Sequence, residues 1–321
     1  MLERYEMNWL GKSFIRNKVN EPLHTIMSFD SNWEIGEVNS ESKNLLIQGE
    51  NLEALKHLLG DFFKAIKMIY INPPNNTKSK YFYYDEDNFS LEKIKQTFNI
   101  SEEEAERVQQ NIEAKELSDS AWLSFMYPHL FIAKLLLKED GLIFITVDES
   151  KCSLLKLMMN EVFGTRNFIL QKKIKNLDNL TENKYLFAYG KNEVKFNVEE
   201  FATDKKSLIL FATKPNEEDI ILDFFVDLEI IGEDVMQLNA EDGGNRRFIL
   251  VQLNEHIDPE YNKEVYEFLT NKLKVPPTYF EITKECLKGK IKKIELKYNI
   301  KNGIKVCKLM NLNELVNMRI W

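Results

Sequence analysis

The sequence predicts an α/β protein built on a mostly parallel β-sheet. Short runs rich in β-branched and aromatic residues recur without polar alternation, as expected of strands that are covered on both faces. Longer segments with helical periodicity lie between these runs. Hydrophobic residues make up 44% and charged residues 29% of the 321 residues. This composition is typical of a globular protein that can bury a sizeable core.

The predicted elements follow one another in the order expected of such a fold. Five segments are predicted as strands, at residues 44–47, 66–71, 142–147, 219–225 and 247–253. Helices are predicted at residues 51–59, 121–137 and 149–163. In the first helix, leucines at positions 52, 55, 58 and 59 form one apolar stripe. Gly141 ends the second helix before the next strand.

Two regions are harder to assign from the sequence. Residues 176–216 show no clear helical or strand periodicity, apart from one strand-like piece at 185–189. After residue 255 the chain is lysine-rich, with a helix predicted near 277–287 and two strands predicted at 291–296 and 304–309.

Several kinds of protein are excluded. No apolar run reaches the roughly 18 residues of a membrane span, and residues 1–6 lack the apolar stretch of a signal peptide. The three cysteines, Cys152, Cys286 and Cys307, are odd in number and are not spaced as metal ligands. They predict reduced thiols in a cytoplasmic protein without a metal site.

The formal net charge is −8, but the charge is uneven along the chain. Residues 284–308 contain nine Lys and two Glu, a net charge of +7. Such a block is either a solvated helix face or a basic surface that follows phosphates. The sequence leaves both interpretations open.

The strand at 66–71 runs directly into Asn72-Pro73-Pro74-Asn75. Ligands of open α/β sheets bind at the carboxyl ends of strands, so a site is expected here. Two consecutive prolines lack an N–H group and stiffen the loop. The loop therefore offers carbonyl acceptors and a side-chain amide in fixed directions, although a rigid turn without a function would contain the same residues.

The NPP loop and several longer segments resemble the modification subunit of type III restriction–modification systems. These proteins are S-adenosylmethionine-dependent DNA adenine-N6 methyltransferases of the permuted, or beta, class. The resemblance extends over nearly the whole chain and is most specific at residues 238–253, LNAEDGGNRRFILVQL. It also includes residues 5–12, 44–55, 69–77, 121–137, 140–148, 219–225, 280–285 and 303–309. It implies a Rossmann-like methyltransferase fold with a permuted motif order.

The resemblance assigns the NPP loop to the reacting base. In the family, a flipped adenine donates its amino hydrogens to the Asp carboxylate and a proline carbonyl of an Asp-Pro-Pro-Tyr loop, while the Tyr ring stacks on the base. Asn72 stands at the Asp position, Pro73 and Pro74 match, and Asn75 replaces the Tyr. The Asn72 amide oxygen can accept the same hydrogen bond. Asn75 gives up a stacking contact worth about 1–3 kcal/mol.

The resemblance also implies a glycine-rich turn after the strand at 219–225, which lets the backbone approach the methionine part of S-adenosylmethionine. Asp223 and Phe225 match the family pattern, whereas Asp227 and Glu229 replace two glycines. Side chains then occupy space reserved for the ligand and restrict the backbone. In addition, two negative charges face a ligand that has its own carboxylate.

Two further acids are implied as cofactor residues. Glu50 matches the acid expected near the cofactor adenine, and Glu255 is placed to accept hydrogen bonds from the ribose hydroxyls. The alternative for Glu50 is an acid that complements a helix N-terminus. For Glu255 the alternative is an ordinary surface acid.

The resemblance also shapes the expected domains and partners. We expect a permuted methyltransferase domain at 1–258, with a remnant of the recognition region at about 176–216, and a lysine-rich extension at 259–321. The family continues beyond this point and carries a longer recognition region, so a shortened copy is expected. Residues 176–216 are fewer than the roughly 50 residues of an independent domain. The implied partners are DNA and either the restriction subunit or a second modification subunit, and no membrane.

The sequence therefore predicts a site-specific DNA adenine-N6 methyltransferase by family, whose activity in this copy is impaired or absent. Glycine is scarce, at 12 of 321 residues. The changes at Asn72 and in the glycine-rich turn can each arise by a single C-to-T or G-to-A transition, as expected of a decaying gene. The alternative function is a non-catalytic pseudo-methyltransferase that binds DNA or a protein partner.

Overall fold

The computed structural model of the chain combines ten strands in one sheet with helices on both faces. It describes residues 6–9, 12–29, 34–38, 43–74, 91–92, 95, 101–103, 105–106, 119–174, 183–193, 204–214, 217–227, 230–260 and 262–312.

The strands are β1 Thr25–Phe29, β2 Ile35–Gly36, β3 Asn44–Gln48, β4 Ile66–Ile71, β5 Leu137–Asp148, β6 Phe168–Ile174, β7 Lys184–Gly190, β8 Ile220–Asp223, β9 Arg247–Gln252 and β10 Gly303–Asn311. The helices are α1 Lys12–Lys18, α2 Asn51–Phe62, α3 Asp119–Leu136, α4 Cys152–Val162, α5 Lys205–Ala212, α6 Ile231–Asp242, α7 Lys263–Glu267 and α8 Tyr279–Tyr298.

The sheet is mostly parallel. Its order is β1-β10-β3-β9-β8-β4-β5-β7-β6, and β2 also pairs with β10. The six strands from β10 to β5 run parallel to one another. Antiparallel strands flank this block, with β1 and β2 against β10 and with β7 and β6 beyond β5. The predicted α/β fold with a mostly parallel sheet is confirmed.

The chain leaves the centre of the sheet in two directions. From β8 it continues to the neighbouring β9, and from β4 it continues to β5 on the other side. The adjacent strands β4 and β8 therefore form a topological switch point, where ligands of open α/β sheets bind. We call the end of the sheet at Gln48, Ile71, Asp223 and Gln252 the carboxyl edge, and the opposite end the amino edge.

Two hydrophobic cores cover the two faces of the sheet. Helices α2, α3 and α4 pack on one face, with Leu55, Trp122 and Met158 among their buried residues. Helices α5, α6 and α8 pack on the other. All six residues of β4 are buried, as expected of a central strand. This three-layer arrangement fixes the loops at the carboxyl edge.

One predicted strand is wrong. Residues 291–296 lie inside α8, which is continuous from Tyr279 to Tyr298. The buried residues Leu287, Ile291 and Ile294 are four and three positions apart, which is a helical spacing. Residues 291–296 contain only two isoleucines and one leucine, and so short a segment does not reveal the helical spacing. The structure also contains α5 within residues 176–216, where only a strand-like piece was predicted.

The C-terminal segment joins the central sheet. Strand β10 pairs in parallel with β3 and antiparallel with β1, which confirms the strand predicted at 304–309. Helix α8 packs against α6 and contributes to the second core. Among the described helices, none is both long and apolar enough to cross a membrane.

Candidate active site

The NPP loop leaves the carboxyl end of β4 and is anchored by a helix. Pro73 is buried, and Asn72 and Pro74 are half-buried. The indole Nε1 of Trp122, in α3, donates a hydrogen bond to the Pro74 carbonyl at 3.0 Å. Trp122 is itself fully buried. The core on one face of the sheet therefore fixes the direction of the loop.

The Asn72 amide is held from both sides. Thr146 Oγ1, on the neighbouring strand β5, donates to Asn72 Oδ1 at 3.0 Å. Asn72 Nδ2 donates to Asp227 Oδ2 at 3.1 Å. A carboxylate accepts hydrogen bonds and does not donate them, so Asp227 fixes which end of the amide faces it. The sequence pattern does not indicate Thr146, because its role depends on the pairing of β4 with β5.

The Asn72–Asp227 hydrogen bond joins two positions that depart from the family pattern. They are 155 positions apart in the sequence and meet because β4 and β8 are neighbours. With Asp at position 72, two carboxylates would stand about one hydrogen-bond length apart, which strongly disfavours ionisation of both. The amide at position 72 and the carboxylate at position 227 are thus complementary.

Asp223, the last residue of β8, is a second acid at this site. It is 4% exposed, and its Oδ1 accepts a hydrogen bond from the Phe225 N–H at 2.9 Å. Burial, and then the charge of Asp227, raise the pKa of Asp223 to about 8, against the opposing effects of the Phe225 hydrogen bond and of Lys205. Burial therefore favours the protonated form of Asp223 at neutral pH.

Glu50 lies at the carboxyl edge, at the start of α2. Its carboxylate accepts hydrogen bonds from the N–H groups of Leu52 and Glu53, at 3.0 and 2.8 Å. Both oxygens therefore cap the helix, which is the alternative that the sequence left open. A contact between Glu50 and a cofactor stays a prediction.

Two acceptors near the end of β9 lack partners. Glu255 Oε2 and Gln252 Oε1 are buried and have no hydrogen-bond partner in the described part of the chain. A buried acceptor left without a donor costs about 1–3 kcal/mol, so a ligand that donates hydrogen bonds would stabilise this place. Glu255 was predicted as a ribose-binding residue, whereas Gln252 was not. A polar residue at the end of an otherwise apolar strand was the available signal.

His129, in α3, lies beside the loop that follows β8. Its ring contacts those of Phe125, Phe224 and Phe225, with centroids 4.8, 6.1 and 5.4 Å away. Nδ1 donates to the Phe125 carbonyl at 2.7 Å, and the buried Nε2 has no hydrogen-bond partner among the described residues. Burial lowers the pKa of His129, only partly opposed by the charge of Glu50. Burial therefore favours the neutral ring, in which Nε2 is an acceptor.

The predicted site residues that the structure describes all lie at or near the carboxyl edge. The structure brings Asn72 and Asp227 into contact, and Asp223 and Phe225 lie beside them. Asn75 and Glu229 lie outside the described residues.

Part of the chain is similar to known DNA methyltransferases. The sequence model of a family described as DNA methylase matches residues 66–218. The EcoPI modification subunit of a type III restriction–modification enzyme, from Escherichia phage P1, is 39% identical over 215 residues, which are 64% of this chain and 33% of that protein. The EcoP15I modification subunit from Escherichia coli is 40% identical over 198 residues, which are 60% of this chain and 31% of that protein.

Among solved structures, the cytosine-N4-specific PvuII DNA methyltransferase is similar over 72% of this chain and 94% of its own, with 14% identity and a TM-score of 0.40. The matched part spans about a third of the length of the two modification subunits. Residues 66–218 of the chain thus match the DNA methylase family, and about 60% of the chain is similar to the modification subunits of type III restriction–modification systems.

Proposed function

We propose that this chain has the catalytic fold of a site-specific DNA adenine-N6 methyltransferase that uses S-adenosylmethionine, and that methyl transfer by this copy is strongly impaired. The NPP loop at the switch point and the kinship with modification subunits support the first part. The Asn72–Asp227 hydrogen bond carries the second part. It connects the loop assigned to the base with the loop assigned to the methionine part of the cofactor.

The residues near the end of β9 fit the ribose of the cofactor. Ribose hydroxyls donate hydrogen bonds, and Glu255 Oε2 and Gln252 Oε1 are buried acceptors without a partner among the described residues. We assign Glu255 to the ribose and Gln252 to the same part of the ligand. Each carboxylate oxygen of Glu50 already accepts one hydrogen bond from α2, so each has one lone pair left for a ligand.

The residues after β8 do not fit the methionine part. A glycine there would leave backbone and space to the ligand, whereas Asp227 places a half-buried carboxylate against Asn72. The ligand's own carboxylate would meet this negative charge, and like charges repel strongly where water is excluded. Asp227 would have to turn away, which breaks its hydrogen bond to Asn72.

The reacting base is affected by the same contact. Asn72 Oδ1 already accepts a hydrogen bond from Thr146 and has one lone pair left for an adenine amino group. A neutral amide accepts more weakly than a carboxylate. We propose that Asn72 and the carbonyls of Pro73 and Pro74 bind the base edge, at lower affinity than an Asp-Pro-Pro loop. Asn75 would not provide the stacking of an aromatic ring.

Methyl transfer from labelled S-adenosylmethionine to a duplex that contains adenine tests the proposal. We expect little transfer by the natural chain. The combined substitutions Asn75→Tyr, Asp227→Gly and Glu229→Gly are expected to raise it at least about tenfold, because about 1.4 kcal/mol of recovered binding corresponds to that factor. Glu260→Gln, at an exposed site far along the chain, is the control for a change of charge. Fast transfer by the natural chain, unchanged by these substitutions, would contradict the proposal.

A second candidate function is a non-catalytic protein that keeps the fold and binds DNA or a partner. Exposed lysines on α8 favour it. Lys292 and Lys293 are exposed and have no ion pair in the described part of the chain, and Lys288 pairs with Glu285 at 2.6 Å on the same helix. DNA retention that falls steeply with salt, without methyl transfer, would support this function.

The similarity to modification subunits also suggests the binding partners of this chain. We propose DNA as the substrate, and the restriction subunit or a second modification subunit as the protein partner. We also propose a cytoplasmic location. In support, Cys152, Cys286 and Cys307 are all free thiols, as expected in a reducing compartment.

A further inference from the structure

A cavity of about 740 Å³ opens at the amino edge of the sheet. It is lined by residues at the starts of β3, β9 and β10, including Asn44, Arg247 and Gly303. The NPP loop leaves the opposite edge. Strands of five or six residues at about 3.3 Å per residue place the two edges about 17 Å apart. The cavity is therefore separate from the candidate active site.

Cations outnumber acids in the lining. The charged lining residues are Lys43, Arg246, Arg247 and Lys301, with Glu37 and Glu218. Most of these charges are already paired. Lys43 pairs with Glu218, Lys301 pairs with Glu37 at 2.6 Å, and Arg246 pairs with Asp242 at 2.9 Å.

Arg247 is the exception. Its guanidinium has no ion pair within the described ranges, and its charge contributes, after that of Lys43, to the lowered pKa of Glu218. Glu218 is more than half exposed. Arg247 thus leaves a positive charge in the cavity that the paired groups do not neutralise.

Three lining residues have a buried donor without a hydrogen bond in the described part of the chain; one is Arg246 Nη2, which is ion-paired with Asp242. Arg247 Nε and Asn302 Nδ2 are shielded from solvent and have no hydrogen-bond partner among the described residues. Buried polar groups are normally paired, so each such donor needs an explanation. A ligand that suits both must bring acceptors, and the charge of Arg247 favours an anion. Phosphate matches a guanidinium in both charge and geometry.

The backbone next to the cavity is built to keep its shape. Gly243 ends α6 in the left-handed conformation, with φ of 71°. A Cβ on Gly244 would come within 2.5 Å of Arg246 Nη1, so an added methyl group would displace the side chain of the Arg246–Asp242 pair. These residues belong to the GGNRR segment at 243–247. The whole GGNRR part lies at the amino edge and takes no part in the candidate active site.

We propose that this cavity binds a phosphate group through Arg247 and Asn302. The phosphate belongs either to a small phosphorylated compound, such as a mononucleotide, or to a nucleic-acid strand that passes the amino edge. Both sources present the same oxyanion. The proposal does not depend on whether the opposite edge transfers methyl groups.

Titration calorimetry with inorganic phosphate, adenosine 5′-monophosphate and a short DNA duplex tests the proposal. We expect saturable binding of at least one probe, in the millimolar range or tighter. Arg247→Gln removes the charge, and Asn302→Asp removes the donor and adds a negative charge. Each is expected to weaken binding at least about tenfold, since a charge-assisted hydrogen bond contributes at least that factor. Lys173→Gln, the same change of charge at an exposed position of β6 at the far end of the sheet, leaves binding unchanged.

The pattern across probes identifies the source of the phosphate. If Arg247→Gln weakens the binding of phosphate and of the mononucleotide but not of the duplex, the natural ligand is a small phosphorylated compound. If Arg247→Gln weakens the binding of the duplex, the ligand is a DNA strand. If no probe binds saturably, water satisfies the two donors and the proposal is wrong. It is also wrong if both variants bind like the natural chain. Asn302→Asp keeps the test valid should Arg247→Gln fail to fold, and the thermal midpoint of each variant shows whether it folds.

Discussion

The two edges of the parallel sheet differ in the hydrogen bonding of their polar groups. At the carboxyl edge, Thr146 and Asp227 occupy both ends of the Asn72 amide, so the groups assigned to ligands bind one another. At the amino edge, Arg247 and Asn302 keep buried donors without an acceptor in the described part of the chain. The comparison teaches that the amide of the NPP loop is internally satisfied, and that the polar groups left over are acceptors at the carboxyl edge, on Glu255 and Gln252, and donors at the amino edge.

The largest expected effect concerns Asp223, and it sharpens the description of the carboxyl edge. An unfolded Asp loses its proton near pH 3.9, whereas Asp223 in the folded chain keeps its proton up to a pKa of about 8. Between these values folding takes up a proton, so the free energy of unfolding falls as pH rises and levels off above about pH 8. The slope from this group is at most about 1.4 kcal/mol per pH unit.

Urea unfolding between pH 5 and pH 8 measures this slope. Asp223→Asn is expected to flatten it and to raise stability at pH 8 relative to the natural chain. Asp204→Asn is the control, because the Ser207 hydrogen bonds lower the pKa of Asp204, which leaves it ionised in both states above pH 5. A slope that survives Asp223→Asn would show that Asp223 is charged in the folded protein.

The next effect tests whether the two unusual positions depend on each other. Asn72→Asp places a second carboxylate against Asp227 and is expected to cost about 2–3 kcal/mol, as for a partly buried charge without a partner. In the presence of Asp227→Gly the same change is expected to cost less than about 1 kcal/mol. A double-mutant cycle by urea unfolding measures the difference. Costs that add within about 0.5 kcal/mol would mean that the two side chains do not interact.

The smallest effect probes the amino edge. Gly244→Ala pushes against the Arg246 side chain, which is fully buried and bound to Asp242 and Thr213. We expect a loss of about 1–2 kcal/mol, typical of disturbing a buried network. Gly289→Ala is the matched control, since no atom lies near its added methyl group, and it is expected to stabilise exposed α8 by about 0.5–1 kcal/mol. Equal thermal midpoints for both variants would contradict the described packing.

Local patterns predicted much of the fold. The strand at 66–71 has the predicted bounds, because a short run of apolar residues buried on both faces has no competing interpretation. Within α8, two lysines separate Ile291 from Ile294, and the apolar run was too short to show the helical spacing that continues from Leu287. Strand β1 was not predicted, because its five residues are only half-buried or exposed and depend on pairing with β10 near the other end of the chain.

The candidate site was predicted residue by residue but not as an arrangement. Asn72 and Asp227 were each recognised as departures from the family pattern. Their contact depends on the pairing of β4 with β8, which no local pattern reports. Thr146 and Trp122 were missed for the same reason, because each binds a residue that is distant in the sequence. Gln252 was missed because only the structure shows that its oxygen is buried without a partner among the described residues.

The central claim is that Asp227, held by Asn72, keeps the methionine part of S-adenosylmethionine out of the site. Calorimetric titration of S-adenosylmethionine into the natural chain and into Asp227→Gly and Asp227→Asn tests it most directly. We expect weak or undetectable binding by the natural chain, a gain of at least about tenfold with Asp227→Gly, and a smaller gain with Asp227→Asn, which removes the charge but keeps the side chain. Tight binding by the natural chain, unchanged in both variants, would contradict the claim.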